Sequence, residues 1–104
     1  MRRVRWSLRA ASDLLEIGAF IAADDPIAAR RWLERLRPRT KVAGVAPYAG
    51  RVVAELNRQD VREVFLRSYR IVYQVLPREI AVLTVFEGHR RFALDVGGSK
   101  VGDD

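Results

Sequence analysis

The chain offers one set of side chains suited to breaking a phosphodiester: Glu55, Arg62, His89 and Arg90. Attack by an internal hydroxyl needs a base for that hydroxyl, an acid for the leaving oxygen, and cations for the phosphorane. In that chemistry Glu55 is the base, His89 the acid, and Arg62 and Arg90 hold the phosphate. His89 is the only histidine, and an imidazole titrates near neutrality, which suits proton transfer. Plainer roles stand beside these. His89 equally serves as a surface or contact residue, and Arg62 equally pairs with Glu63 or Glu55 to hold strands in register.

Other chemistries are excluded or unsupported. The chain has no cysteine, so disulfides and thiolate catalysis are out, and the reading this favours is a cytoplasmic protein. No cluster has the ligand spacing of a metal site, and no glycine loop is built to cradle a phosphate. No cofactor is expected. The longest apolar run, Ile17 to Ala23, is far short of a membrane span. Asp13 and Glu16 interrupt what would have to be the apolar part of a signal peptide after Arg2-Arg3.

The formal charge is +6, carried by 17 Arg and 2 Lys against 13 acidic residues. Residues 1–52 hold 11 basic and 5 acidic side chains, and residues 53–104 hold 8 of each. The excess therefore belongs to the first half, above all to Arg30, Arg31, Arg35, Arg37, Arg39 and Lys41. Such a surface predicts an acidic partner, whether nucleic acid or protein.

The elements that must position these residues follow from periodicity. Arg3 to Ser7 alternates charged and apolar and reads as a short strand. Ser7 can cap a helix from about Leu8 to Ala23. On it, Ala10, Leu14, Ile17 and Ile21 form one apolar stripe and Ala11, Leu15, Gly18 and Ala22 a second, predicting a broad buried face with Asp13 and Glu16 turned away. Asp25 caps a second helix that starts at Pro26 and buries Ala29, Trp32, Leu33 and Leu36. Pro38 predicts a kink or break, with a shorter helical piece to about Val45. A turn at Ala46–Gly50, in which Gly50 can take positive φ, leads to a strand or extended edge from Arg51 to Leu56. Strands at Val61–Arg67, Tyr69–Leu76 and Ile80–Phe86 are joined by tight turns, so they pair antiparallel. Both faces of the middle strand carry apolar residues, which makes it central. One domain over 1–95 and a flexible tail over 96–104 account for the length.

Along Val4 to Arg91, an ordered series of short motifs resembles the RelE/ParE family of bacterial toxins. The series comprises Ala11, Asp13 and Leu14 early in the first helix and Pro26-Ile27-Ala28-Ala29 opening the second. Pro47-Tyr48-Ala49-Gly50-Arg51 forms the turn, Arg62-Glu63 follows, then Tyr69-Arg70-Ile71-Val72-Tyr73, and Gly88-His89-Arg90 closes the last strand. The resemblance implies an α+β fold: an N-terminal strand, a helical hairpin, then a three- to four-stranded antiparallel sheet with both helices on one face.

The family divides by target. The pattern is closest to the ParE-like branch, which implies a toxin that traps DNA gyrase by binding, with no nucleophile or metal. Arg62, Arg70, His89, Arg90 and Arg91 would then meet the target. The RelE-like alternative is a ribosome-dependent endoribonuclease acting on mRNA, using Glu55, Arg62, His89 and Arg90 as above. The lysine-rich form of that site is absent, because no lysine lies between Lys41 and Lys100. A third reading is a small basic domain that binds nucleic acid through its helices. The resemblance also implies a cognate antitoxin, seated on grooves beside the helical hairpin near Trp6, Ile27 and Arg31, in complexes that commonly hold two of each chain.

Overall fold

A computed structural model describes residues 1–88 together with Leu94–Val96 and Ser99–Val101. Strand β1 (Arg3–Trp6) leads into helices α1 (Leu8–Asp24) and α2 (Pro26–Val45). A short 3-10 turn (Pro47–Ala49) precedes β2 (Arg51–Val52), β3 (Val61–Leu66), β4 (Tyr69–Val75) and β5 (Glu79–Glu87). Beyond them, β6 (Leu94–Val96) pairs antiparallel with β7 (Ser99–Val101). The main sheet has the order β1-β5-β4-β3-β2, so β4 is its centre.

The helix ends form as their residues dictate. Ser7 Oγ accepts from the Ala10 N–H at 3.0 Å. Asp25 accepts from the N–H groups of Ile27 and Ala28, each at 3.1 Å. These bonds satisfy donors that the first helical turn leaves unpaired. The two helices lie on one face of the sheet. There Ala10, Trp32, Leu36 and Ala43 pack against Ile71, Tyr73, Val75, Ile80, Val82 and Val85. On the other face a smaller cluster of Val53, Val61 and Val72, flanked by Leu56, Leu83 and Phe86, sits under the segment that follows β2.

Five details depart from the sequence reading. First, β1 pairs parallel to β5, with Val4 opposite Ile80. The chain between them is long enough to return in the same direction, as a parallel pair requires. Second, α2 runs unbroken through Pro38. Pro38 lies on the exposed outer side of the helix, where water can satisfy the carbonyl that loses its partner. Third, the predicted strand from Arg51 to Leu56 pairs only at Arg51 and Val52. After that the chain turns, with the N–H groups of Leu56 and Asn57 both donating to Val53 O.

Fourth, Asp13 does not turn away. Its Oδ2 accepts from Thr84 Oγ1 at 2.6 Å and from the Val85 N–H at 3.0 Å. Those residues lie just past the point where the β4–β5 register slips between Val72 and Tyr73. A carboxylate from α1 thus ties the helix to an irregular stretch of β5. Fifth, Gly50 has φ −68° and ψ 159°, ordinary extended backbone. Its lack of a side chain matters for space, because a Cβ there would run into the Tyr73 hydroxyl and the Glu63 carbonyl. Gly50→Ala should therefore cost about 1–3 kcal/mol, the range for overpacking a filled site. Urea unfolding of the variant measures this, and an unchanged midpoint would show that the turn yields freely.

Candidate functional site

Glu55, proposed from sequence as a base, is not free. Arg70 comes from the central strand, buried on the sheet face opposite the helices, and clamps it. Its Nη1 and Nη2 donate to Glu55 Oε2 and Oε1 at 2.8 and 2.9 Å. Its Nε donates to Glu63 Oε1 at 2.6 Å. Glu63 is itself buried, 2 % exposed, and its second oxygen accepts from Arg51 Nη2 at 3.0 Å. The Arg70 guanidinium also lies 5.1 Å from the Phe86 ring centroid. A fork donating to two carboxylates at once is the geometry that guanidinium favours over ammonium.

The electrostatics follow. Hydrogen bonds from Arg70 hold the Glu55 carboxyl below its ordinary value of 4.5, against a smaller opposing push from burial. The two carboxylates in turn hold Arg70 charged well above the ordinary range, led by the bonds to Glu55. A carboxylate so stabilised is a weak base, and its oxygens already have donors.

Arg62 is also committed. Its Nη1 donates to the carbonyls of Tyr48 and Gly50 at 3.2 and 3.0 Å. Its Nε donates to Gln59 O at 3.0 Å and its Nη2 to Gln59 Oε1 at 2.8 Å. The guanidinium covers the Tyr48 ring at 5.1 Å. It pairs with neither Glu63 nor Glu55, but ties the turn before β2 to the loop before β3. Tyr73 joins this support by donating its hydroxyl to Pro47 O at 2.5 Å, and burial raises its pKa. His89, Arg90 and Arg91 lie outside the described residues. Of the proposed contact residues, Arg62 and Arg70 are therefore each committed to internal bonds, Arg62 to the loops on the Tyr73 side of the sheet and Arg70 to the two carboxylates on the other face.

The residues proposed for an antitoxin separate as well. Trp6 is half-buried and packs on the main core. Ile27 and Arg31 are exposed a turn apart on the outer side of α2. Between the helices, however, runs a feature that the sequence reading folded into the core. Ala11, Leu14, Leu15, Gly18, Ala22, Pro26, Ala29 and Leu33 line an open apolar groove of about 700 Å³, with Arg30 at its rim. Leu15 is 77 % exposed and Leu33 43 %. The signal was present, since two full apolar stripes on α1 are wider than one sheet contact needs. No helix among the described residues is long and apolar enough to cross a membrane.

The pattern of the family described as "ParE toxin of type II toxin-antitoxin system, parDE" matches residues 4–92. The chain belongs to this ParE toxin family. Y4kP of Sinorhizobium fredii (strain NBRC 101917 / NGR234) is 36 % identical over 93 residues, covering 88 % of this chain and 93 % of that protein. Among solved structures, the chromosomal ParDE toxin–antitoxin system from P. aeruginosa contains a similar chain. It superposes with a TM-score of 0.70 at 21 % identity, over 84 % of this chain and 96 % of that one. That likeness establishes the shared fold. The toxin is thus an α+β protein whose helical hairpin presents a bare apolar groove and whose sheet carries a closed ion-pair network.

Proposed function

We propose that this toxin arrests growth in the cytoplasm by binding DNA gyrase and trapping it on cut DNA, and that a cognate antitoxin neutralises it. The observation that carries the choice of binding over catalysis is the state of Glu55. The carboxylate that would serve as base is held by both terminal nitrogens of Arg70, with its pKa lowered. Catalysis of hydroxyl attack wants a base near the working pH with a free oxygen, and this arrangement opposes both. Membership of the ParE family supports the same target class.

The antitoxin's seat is the groove of α1 and α2. An amphipathic helix laid into it would cover Leu15, Gly18, Ala22 and Leu33, with acidic flanks toward Arg30. The chromosomal ParDE of P. aeruginosa is a toxin–antitoxin system, which supports a partner of this kind for the present chain.

Purified toxin added to gyrase and supercoiled plasmid should yield gyrase–DNA cleavage complexes, and Glu55→Gln should poison gyrase as well as the parent does. Codon-position cuts in a translating extract, lost in the Glu55→Gln variant, would replace this reading with the ribonuclease one.

A further inference from the structure

The basic residues of α2 divide into two groups, and one of them meets the sheet. Arg39 Nε donates to Phe65 O at 2.7 Å, and the Trp32 ring packs edge-on against Tyr69 with centroids 5.2 Å apart. Phe65 and Tyr69 flank the two-residue turn of Arg67 and Ser68, closed by the Leu66–Tyr69 pair. The turn therefore lies beside the stretch of α2 between Trp32 and Arg39. Arg35 falls within that stretch, one turn from Arg39, with Arg31 one turn further on. Arg31, Arg35 and Arg67 are exposed, and their side chains form no hydrogen bond or ion pair among the described residues. On this side Arg39 uses only its Nε on protein.

The turn adds an independent sign. Arg67 has φ 55°, the left-handed region in which an L side chain is strained and glycine is not. A turn that keeps arginine where glycine would fold more easily points to work done by the side chain. Two acids lie close, Glu87 opposite Tyr69 in the sheet and the exposed Glu34 three residues on from Arg31 in α2, against four guanidiniums.

From this juxtaposition we propose that Arg35, Arg39 and Arg67, continued by Arg31, form a surface that grips the phosphate backbone of duplex DNA. Successive arginines on the helix are about 6 Å apart along its axis, and each guanidinium can fork two bonds to one phosphate. The nearby rings are engaged within the protein, Trp32 with Tyr69 and Phe65 under Arg51, so the grip is on the backbone without base readout. The proposal rests on gyrase as the target and deepens it: the toxin would hold the cut DNA as well as the enzyme.

The test is fluorescence anisotropy of the purified toxin with a labelled duplex of about 20 bp, between about 50 and 200 mM salt. The logarithm of affinity should fall with the logarithm of salt at a slope of about −3, and Arg35→Ala or Arg67→Gly should each reduce it by about 1. Arg67→Gly relieves the strained turn, so its melting temperature should equal or exceed the parent's, which separates lost binding from lost folding. Arg78→Ala, in the turn at the far end of β4, should leave the slope unchanged. Absence of salt-dependent duplex binding, or a slope lowered by Arg78→Ala and not by Arg35→Ala or Arg67→Gly, would overturn the proposal. So would loss of antitoxin affinity in Arg35→Ala with duplex binding intact, which assigns the patch to the acidic protein. Cleavage complexes formed by gyrase in a separate assay distinguish failure here from failure of the gyrase reading.

Discussion

Arg70→Met should destabilise the protein by about 3–5 kcal/mol, the cost of removing one partner from a buried ionic cluster. Methionine fills much of the volume of the Arg70 stem and gives up only the guanidinium with its bonds and its place over Phe86, so most of the loss is that of the charged group. Glu63 is the reason for the size. Its side chain is 2 % exposed, and it would keep only Arg51, whose own side chain is 70 % exposed. Glu55 would merely return to water and contributes less. The triple change Arg70→Met, Glu63→Gln and Glu55→Gln should recover much of the stability, since no unpaired charge is then left buried. Urea unfolding of the single and triple variants decides this. A single variant within about 1 kcal/mol of the parent would mean that water reaches Glu63 and the network contributes little.

The network and the separate Arg58–Asp60 pair set a direction for acid unfolding. Glu55 has its folded pKa lowered from 4.5, chiefly by Arg70, and Asp60 has its own lowered from 3.8 by Arg58 and Gln74. A depressed carboxylate contributes stability above its unfolded pKa and loses it as pH falls through the folded value. The network's support should therefore be full at neutral pH and decline as pH drops below about 4.5. In the Arg70→Met background that decline should be shallower, because the group holding Glu55 down is gone.

The fold was legible where local pattern and burial agree. Ser7, Asp25 and Pro26 mark the helix ends, and apolar residues on both faces of Tyr69–Val75 mark a central strand, because capping chemistry and strand period act over a few residues. Gly50, Asp13 and Glu55 were not legible in their roles, because each depends on a neighbour far along the chain. Gly50 is constrained by Tyr73, Asp13 is drawn inward by Thr84 and the Val85 N–H, and Glu55 is clamped by Arg70. Pro38 misled because its helix-breaking tendency was weighed without knowing that its side of α2 faces water. The groove was misread for a different reason. Leu15 and Leu33 sit at helical spacing with the core residues, and hydropathy records that a face shuns water without recording whether this chain or another covers it.

That groove carries the largest expected effect on binding. Leu15→Glu should weaken the antitoxin complex at least a hundredfold, about 3 kcal/mol, because it places an unpaired charge in the middle of an apolar contact. Leu15 is 77 % exposed in the toxin itself, so the same change should alter folding stability by no more than about 0.5 kcal/mol. Phe20 is the control. It is equally exposed at 77 % but lies outside the groove lining. It sits five residues on from Leu15, about 140° around the helix. Phe20→Glu should leave antitoxin affinity near the parent value. Titration calorimetry with the cognate antitoxin measures both variants. In cells the Leu15→Glu toxin should arrest growth even when the antitoxin is co-expressed, while the Phe20→Glu toxin stays neutralised. Equal loss in both variants would mean that the antitoxin surrounds α1 instead of entering the cleft beside α2. No loss in either would place the neutralising contact elsewhere on the toxin and leave the groove without its proposed occupant.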